Sequence, residues 1–217
     1  MKTTLVRIGL VGLLVSTGSL VVVGGCEDDV EPSSLECVGE ECSLECEGPG
    51  CDVFCSEGAD CDVECSERDC DLDCGTKSTC DLDCSAEGDC DADCNGQADC
   101  NIDCSEAGGC DLNCNGGAEC NIDCKEDCSG GCQGNANCAT TCETGCNIGC
   151  TGNGTCGLSC VTDCFVCCSG SGSCELTCSD AEVTECPGEG SGSILVCGRE
   201  CPDPSECTFG EEEPEPE

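Results

Sequence analysis

A five-residue unit that begins and ends with cysteine repeats along most of this chain. Between Cys51 and Cys124 it reads CDVFC, CDVEC, CDLDC, CDLDC, CDADC, CNIDC, CDLNC and CNIDC. The two cysteines and the apolar residue between them stand at i, i+2 and i+4, which face the same side of a β-strand. The acidic or amide residues between them face the other side. The unit therefore predicts short strands with sulfur on the inner face and carboxylates on the outer face.

The same C-x-x-x-C spacing continues beyond the acidic part of the chain. Its middle residue is apolar in every unit except those centred on Gly130 and Thr140. The units begin at Cys42, Cys51, Cys61, Cys70, Cys80, Cys90, Cys100, Cys110, Cys120, Cys128, Cys138, Cys146, Cys156, Cys164 and Cys174. Repeats this regular predict a solenoid, in which each unit stacks on its neighbours.

The steps between units indicate how many strands one coil holds. The first units start nine or ten positions apart, and from Cys120 onward steps of eight alternate with steps of ten. Alternation makes every second unit equivalent, which predicts two strands per coil of about 18–20 residues. Units that begin at Cys51, Cys70, Cys90 and Cys110 then lie on one face, and units that begin at Cys61, Cys80, Cys100 and Cys120 lie on the opposite face.

The composition excludes an ordinary hydrophobic core. The chain has 37 cysteines among 217 residues, three phenylalanines, and no tryptophan, tyrosine or histidine. A chain so poor in large apolar side chains needs covalent bridges or bound metal to hold a fold together. The predicted fold class is therefore all-β, a disulfide-stapled β-solenoid of C-x-x-x-C strands with disordered ends.

The first residues have the layout of a signal peptide. Lys2 and Arg7 precede an apolar stretch, residues 8–23, which is short for a membrane span. Export places the chain in an oxidising compartment, where cysteines pair. The sequence Val23-Gly24-Gly25-Cys26 resembles the lipobox of bacterial lipoproteins. That resemblance implies cleavage before Cys26, a lipid anchor on its sulfur, and a location at the bacterial cell envelope, in the outer membrane or at the cell surface.

Cysteine parity agrees with this interpretation, because setting Cys26 aside leaves 37 − 1 = 36 cysteines, which can pair completely. The predicted organisation has five parts. They are a signal peptide (1–25), a lipid-anchored acidic tether (26–41), the solenoid (42–178), an irregular disulfide-tied cap (179–207) and an acidic disordered tail (208–217).

The periodicity and the inward cysteines resemble those of disulfide-stabilised β-solenoids, such as the cysteine-rich antifreeze proteins of beetles. They also resemble the calcium-binding β-roll, which has two short repeats per coil. The resemblance concerns the fold alone, because the chain has neither a Thr-x-Thr column nor a GGxGxD motif. Binding of ice or of an envelope polymer by a flat solenoid face remains a further hypothesis, although the most regular columns are charged.

Spacing alone leaves the disulfide connectivity open. Cysteines stacked on adjacent coils lie within bridging range, and so do cysteines that face each other across a thin interior. The two cysteines of one unit cannot pair, because they stand about 13 Å apart on an extended strand. The cysteines predicted to form bridges are Cys42, Cys46, Cys51, Cys55, Cys61, Cys65, Cys70, Cys74, Cys80, Cys84, Cys90, Cys94, Cys100, Cys104, Cys110, Cys114, Cys120 and Cys124.

The charge balance favours cationic partners. The chain has 6 basic and 47 acidic residues, and removing residues 1–25 leaves a net charge of 4 − 47 = −43. Such a surface repels nucleic acid and anionic lipid. Ladders of outward carboxylates suit calcium, although a solvated acidic face that only keeps the protein soluble is the simpler interpretation. The candidate calcium ligands are Asp62, Asp71, Asp73, Asp81, Asp83, Asp91, Asp93, Asp103, Asp111 and Asp123.

Two other functional classes are less favoured. The abundance of cysteine resembles that of metallothioneins, but export and the scarcity of close cysteine pairs argue against thiolate metal sequestration. Without histidine the chain has no Ser–His or Cys–His pair, so we expect no enzymatic activity and no required cofactor. The sequence thus predicts a non-enzymatic envelope lipoprotein with a structural or interaction role, and calcium binding is the main alternative.

Overall fold

The computed structural model describes residues 33–46, 50–66, 69–85, 89–106, 109–188 and 192–207. These residues form a β-solenoid whose two sheets face each other across a thin interior. Sheet A has the strand order β1-β3-β5-β7-β9-β11-β13-β15-β18-β17, and sheet B has the order β16-β14-β12-β10-β8-β6-β4-β2. All neighbouring strands are parallel except β18, which is antiparallel to both β15 and β17.

The strands of sheet A are β1 (Ser33–Val38), β3 (Cys51–Ser56), β5 (Cys70–Cys74), β7 (Asp89–Cys94), β9 (Gly109–Cys114), β11 (Ser129–Cys132), β13 (Asn147–Gly152), β15 (Cys164–Gly170), β17 (Val183–Pro187) and β18 (Ser193–Cys197). Those of sheet B are β2 (Glu41–Cys46), β4 (Asp60–Cys65), β6 (Thr79–Cys84), β8 (Asp99–Cys104), β10 (Glu119–Glu126), β12 (Asn137–Thr144), β14 (Thr155–Thr162) and β16 (Ser173–Cys178). Parallel neighbours within a sheet are every second strand along the chain, and their register pairs, for example, Cys51 with Cys70 and Asn137 with Thr155. The predicted fold class and the two-stranded coil are confirmed.

Burial follows the alternation that the repeat predicted. Along β6 the pattern from Cys80 to Cys84 is buried, exposed, buried, exposed, buried. Cys80 and Cys84 are 0% and 1% exposed, and the middle residue Leu82 is 2% exposed. The apolar middle residues, present in every unit except those of Gly130 and Thr140, are all buried in this way. Together with the cysteine sulfurs and the corner residues Ala59, Ala98, Ala118 and Ala136 they form the core. Thr140 takes the apolar position in β12, where it is buried and its Oγ1 has no hydrogen-bond partner.

The disulfides join the end of one strand to the start of the next. Cys46 is bonded to Cys51, and Cys55 to Cys61, so each bridge closes a corner and links sheet A to sheet B. Of the two geometries that spacing left open, the structure has the bridge across the interior, at every corner from Cys37–Cys42 to Cys168–Cys174. All cysteines of the described residues are paired, which indicates folding in an oxidising environment. Cys26 lies outside these residues.

The alternating steps have a simple cause in the corners. A bridge with a sequence separation of 4, such as Cys124–Cys128, belongs to a short step between units, and one with a separation of 6, such as Cys132–Cys138, belongs to a long step. The Cα–Cα distances are nevertheless similar, 6.5 and 6.3 Å. The loop length at each corner therefore changes without changing the gap between the sheets.

Two predicted segment descriptions need correction. The tether was predicted to extend to residue 41, but β1 begins at Ser33 and pairs with β3, and Cys37 is bonded to Cys42. The C-x-x-x-C pattern is incomplete in β1, because Ser33 occupies the register position of Cys51, where the first cysteine of a unit would stand. The cap was predicted to be irregular, but it contains β17 and β18. The predicted signal peptide, the tether before residue 33 and the tail at 208–217 lie outside the described residues.

The C-terminal segment folds over the outer face of sheet A at its far end. Cys167 points outward and is bonded to Cys207, and Asn147 donates a hydrogen bond from Nδ2 to the carbonyl oxygen of Glu206 at 3.1 Å. The guanidinium carbon of Arg199 lies 4.6 Å from the centroid of the Phe165 ring. Phe165 is only 4% exposed although it faces outward. This small cluster covers the end of the sheet as a capping unit of a solenoid does.

Candidate functional site

The outer faces of the two sheets carry acidic side chains in register. Parallel strands lie about 4.8 Å apart, so residues at one register position form a column along the rod. The Asp52 column on sheet A comprises Asp52, Asp71, Asp91 and Asp111. The Asp83 column on sheet B comprises Glu45, Glu64, Asp83, Asp103 and Asp123. Each column brings together carboxylates that stand one full coil apart in the sequence.

Two further columns contain amides. On sheet B, Asp62 and Asp81 are followed by Asn101 and Asn121, and on sheet A, Asp73 and Asp93 are followed by Asn113. The Asn101 amide donates from Nδ2 to Oδ1 of Asp81 at 2.7 Å, and the Asn121 amide donates to Oδ1 of Asn101 at 3.1 Å. Because Asn101 and Asn121 occupy the third and fourth positions of this column, attractive hydrogen bonds stand where two further carboxylates would repel their neighbours.

The ten predicted ligands therefore divide between two opposite surfaces. Asp71, Asp73, Asp91, Asp93 and Asp111 lie on sheet A. Asp62, Asp81, Asp83, Asp103 and Asp123 lie on sheet B. The solenoid interior separates the two sets, so they do not form one site.

The Asp52 column contains carboxylates with raised pKa values. Partial burial raises the pKa of Asp71, and the charges of Asp52 and Asp69 raise it further, while a hydrogen bond with Asp91 acts in the opposite direction. Burial also raises the pKa of Asp111, against hydrogen bonds from the Leu112 backbone and Ser129. For an acid with a raised pKa, the folded state is destabilised above that pKa and regains stability as the pH falls through it. A bound cation would relieve the same cost at neutral pH.

Sheet B has a different electrostatic character. Hydrogen bonds from the Ser105 side chain and backbone lower the pKa of Asp103, and the backbone amide donates to Oδ1 at 2.9 Å. A groove of about 490 Å³ runs between the Asp83 column and the column of Asp81 and Asn101, and extends to Ala139 and Thr141. Asp81 and Asp103 thus accept hydrogen bonds from neutral donors, the Asn101 amide and Ser105.

The continuous acidic columns end after the fifth pair of strands, although Glu175 on β16 stands at the register position of Asn121. At the register positions of the acidic columns, β11 and β13 carry Ser129, Gly131, Asn147 and Gly149. The strands β12 and β14 carry small neutral residues, such as Thr141 and Ser159, at the position of Asp123. The candidate cation-binding surface is therefore the half of the rod nearer the N-terminus.

The predicted set of calcium ligands omitted several acids that belong to the columns. Asp52 begins the column that contains Asp71, and Glu45 and Glu64 continue the Asp83 column toward the N-terminus. The spacing of the repeat could have identified them, because each of these acids stands one coil away in the sequence from the next member of its column. Asp69 was also omitted. It has a positive φ of 60° at a corner and acts on Asp71 through its charge.

Over the residues that the structure describes, the interior offers no thiolate in this oxidised form. Groups of three cysteine sulfurs lie within 4.8 Å of one another, for example those of Cys55, Cys61 and Cys80. Cys55 and Cys61 are bonded to each other, and Cys80 is bonded to Cys74. Because the thiolate is the form that binds metal, these clusters are bridges rather than ligand sets.

Comparisons with known proteins add no assignment to this geometry. Within the described residues, no helix has the length and apolar character that a bilayer crossing requires. Neither a protein-family model, nor a curated protein, nor a solved structure matches the chain.

Proposed function

We propose that the protein is a non-enzymatic, exported bacterial lipoprotein that serves as a rigid acidic rod at the cell envelope. The observation that carries the proposal is the unbroken register of the coils, with a bridge at each corner. Eight parallel strands in each sheet give a stack about 34 Å long between its first and last strands. A stack with covalently closed corners holds its surface groups at constant spacing, which suits a structural or interaction role.

A lipid on Cys26 would attach this rod to a membrane at its N-terminal end. Six residues lie between Cys26 and Ser33, the first residue of β1, so the chain from one Cα atom to the other spans at most about 25 Å. The acidic half of the rod would then lie nearer the membrane and the neutral half farther away. Two or more acyl chains, as the lipobox resemblance implies, give stable anchoring. The outer membrane or cell surface is the proposed location.

Replacement of the anchoring cysteine tests this proposal. We expect Cys26→Ser to lack the acyl mass and to retain residues 1–25, because cleavage at a lipobox requires the lipidated cysteine. The measurement is fractionation followed by mass spectrometry of intact protein and peptides. Non-reducing mapping provides the control, because both forms should keep the bridges from Cys37 to Cys207. An unmodified Cys26 in the wild-type protein, or cleavage of Cys26→Ser at the same peptide bond, would contradict anchoring.

Calcium binding is the second candidate, and the raised pKa of Asp71 within the Asp52 column favours it. Two carboxylates about 4.8 Å apart repel by about 0.9 kcal/mol even in water, and each inner member of a column has two such neighbours. Calcium takes oxygen ligands in flexible numbers, so it can bridge carboxylates of adjacent coils. Binding at several weak positions along the column would remove the repulsion without a dedicated cage.

A paired substitution within the column tests the calcium candidate. We expect Asp71→Asn/Asp91→Asn to lower calcium affinity at least threefold, measured by calorimetry at low ionic strength. The matched control, Glu182→Gln/Glu185→Gln, removes the same charge from two exposed positions outside the columns. The calcium affinity of this control should stay close to that of the wild type. In the wild-type protein, calcium binding should weaken below neutral pH because protons compete for the carboxylates. No heat with millimolar calcium, or equal losses in both variants, would exclude column binding.

A further inference from the structure

The corner bridges form two columns along the rod, in which successive disulfides stack in register. The first, named here the A-to-B column, joins each strand of sheet A to the following strand of sheet B. It contains Cys37–Cys42, Cys55–Cys61, Cys74–Cys80, Cys94–Cys100, Cys114–Cys120, Cys132–Cys138, Cys150–Cys156 and Cys168–Cys174. The B-to-A column at the opposite corner contains Cys46–Cys51, Cys65–Cys70, Cys84–Cys90, Cys104–Cys110, Cys124–Cys128, Cys142–Cys146 and Cys160–Cys164.

Sulfurs of different bridges approach one another within each column. In the A-to-B column the Cys80 sulfur lies within 4.8 Å of both sulfurs of the Cys55–Cys61 bridge. The sulfurs of Cys114, Cys120 and Cys138 are equally close. In the B-to-A column the sulfurs of Cys146 and Cys124 are 3.8 Å apart, and those of Cys164 and Cys142 are 4.0 Å apart. The strand register places a cysteine beside a cysteine between the remaining coils as well.

Exposure in the A-to-B column is confined to its two ends. Cys42, in the first bridge, is partly exposed, and so are both Cys168 and Cys174 in the last bridge. Every cysteine of the intervening bridges is at most 7% exposed. A reductant too large to enter the rod therefore meets this column only at its ends.

We propose that the A-to-B column is a thiol–disulfide relay that carries a pair of thiols between the two ends of the rod. The external partner is a dithiol reductant at one end and a disulfide substrate at the other, both of exported proteins. The dithiol reduces a terminal bridge, becomes a disulfide itself and leaves two cysteine thiols in the rod. Because exchange proceeds by thiolate attack on a neighbouring disulfide, contact between bridges is what the transfer requires.

One transfer step can be written for two adjacent bridges. With Cys74 and Cys80 reduced, the Cys80 thiolate attacks Cys61, so that a Cys61–Cys80 bond forms, the Cys55–Cys61 bond breaks and Cys55 leaves as a thiolate. The Cys74 thiolate then attacks Cys80, which restores Cys74–Cys80 and releases Cys61 as a thiolate. The number of bridges is unchanged, and two electrons with two protons have moved by one coil. At the far end the thiol pair reduces the substrate disulfide and closes the last bridge.

Limited reduction from a solid support tests the relay. The starting protein carries Cys168→Ala/Cys174→Ala, so that the A-to-B column keeps only its N-terminal entrance. It is exposed to less than one equivalent of agarose-bound dithiol, quenched in acid at intervals, unfolded and alkylated for peptide mapping. Within the A-to-B column we expect label first at Cys37 and Cys42 and later at the buried Cys114 and Cys120, and label on the cap bridge of the exposed Cys201 is counted separately. Label that stays at the entrance, or that appears at all positions simultaneously, would overturn the proposal.

A break in the column provides the matched comparison. Adding Cys94→Ala/Cys100→Ala should reduce label at Cys114 and Cys120 at least tenfold. Adding Cys84→Ala/Cys90→Ala instead removes a neighbouring bridge at the opposite corner and should leave that label unchanged. Equal labelling in the two variants would show that reductant reaches the interior by opening of the rod. Non-reducing mapping beforehand establishes native pairing, and if either variant mispairs, the order of labelling in the starting protein decides the question.

Discussion

Complete reduction of the bridges is expected to abolish the β-solenoid. Each coil buries few aliphatic side chains, for example Leu112, Ala118 and Ile122, and most of the rest of its core is sulfur. Each corner bridge closes a short loop, which stabilises the fold by about 2 kcal/mol through the unfolded chain. Small domains that lack an adequate apolar core depend on such bridges.

The experiment compares refolding with and without reductant. The protein is unfolded in guanidinium with excess phosphine, alkylated and returned to native buffer, and its far-ultraviolet circular dichroism is recorded. We expect a disordered spectrum, because carboxylates in the Asp52 and Asp83 columns would repel one another without covalent ties to hold the strands in register. The control passes through the same cycle without phosphine and alkylation and should regain the β spectrum. A reduced chain that also regains it would show that the aliphatic layer suffices.

The coil could be predicted from the sequence because two independent periods agree. The alternation within C-x-x-x-C determines which residues face inward, and the spacing between units determines which strands are neighbours. Cys61 and Cys80 fall in the same register position, as the two unit steps between them predicted. The outward columns, including those of Asp71 and Asp83, follow from the same two periods.

The bridge pattern could not be predicted in the same way. Cys55 lies in register between Cys37 and Cys74, and across the corner from Cys61. All three partners fall within the range of a disulfide, so spacing alone does not distinguish them. The choice depends on the gap between the sheets, which the Cα–Cα distance of 6.5 Å for Cys55–Cys61 illustrates.

The ends of the rod were also poorly predicted because the repeat is incomplete there. Ser33 replaces the opening cysteine of β1, and the hairpin of β17 and β18 departs from the parallel order of the coils. The cap depends on contacts without a period, such as Arg199 with Phe165, Asp163 and Glu206. Contacts of this kind follow no repeating pattern, so the periodicity of the sequence does not predict them.

A single methyl group at a stacked corner glycine is expected to destabilise the rod strongly. Gly134, Gly152 and Gly170 follow one another at the same corner of successive coils, each with positive φ, and φ is 94° at Gly152. A Cβ at Gly152 would overlap the backbone of Gly134, in particular its carbonyl oxygen and its nitrogen. Since backbone atoms of a bridged corner cannot move aside as a flexible side chain does, Gly152→Ala must separate the two coils locally.

The expected loss for Gly152→Ala is about 2–4 kcal/mol, the sum of an unfavourable positive φ for alanine and of overpacking against backbone. The measurement is equilibrium guanidinium unfolding with the bridges intact, together with the yield of natively paired protein. Gly117→Ala is the matched control. Gly117 lies in an equivalent corner, lacks the positive φ, and would place its Cβ 3.4 Å from the Gly96 carbonyl oxygen. It should change stability by less than about 0.5 kcal/mol. Similar guanidinium unfolding midpoints for the two variants would show that the coils can separate at the corner at little cost. Close stacking of the corner glycines would then not determine the strand register.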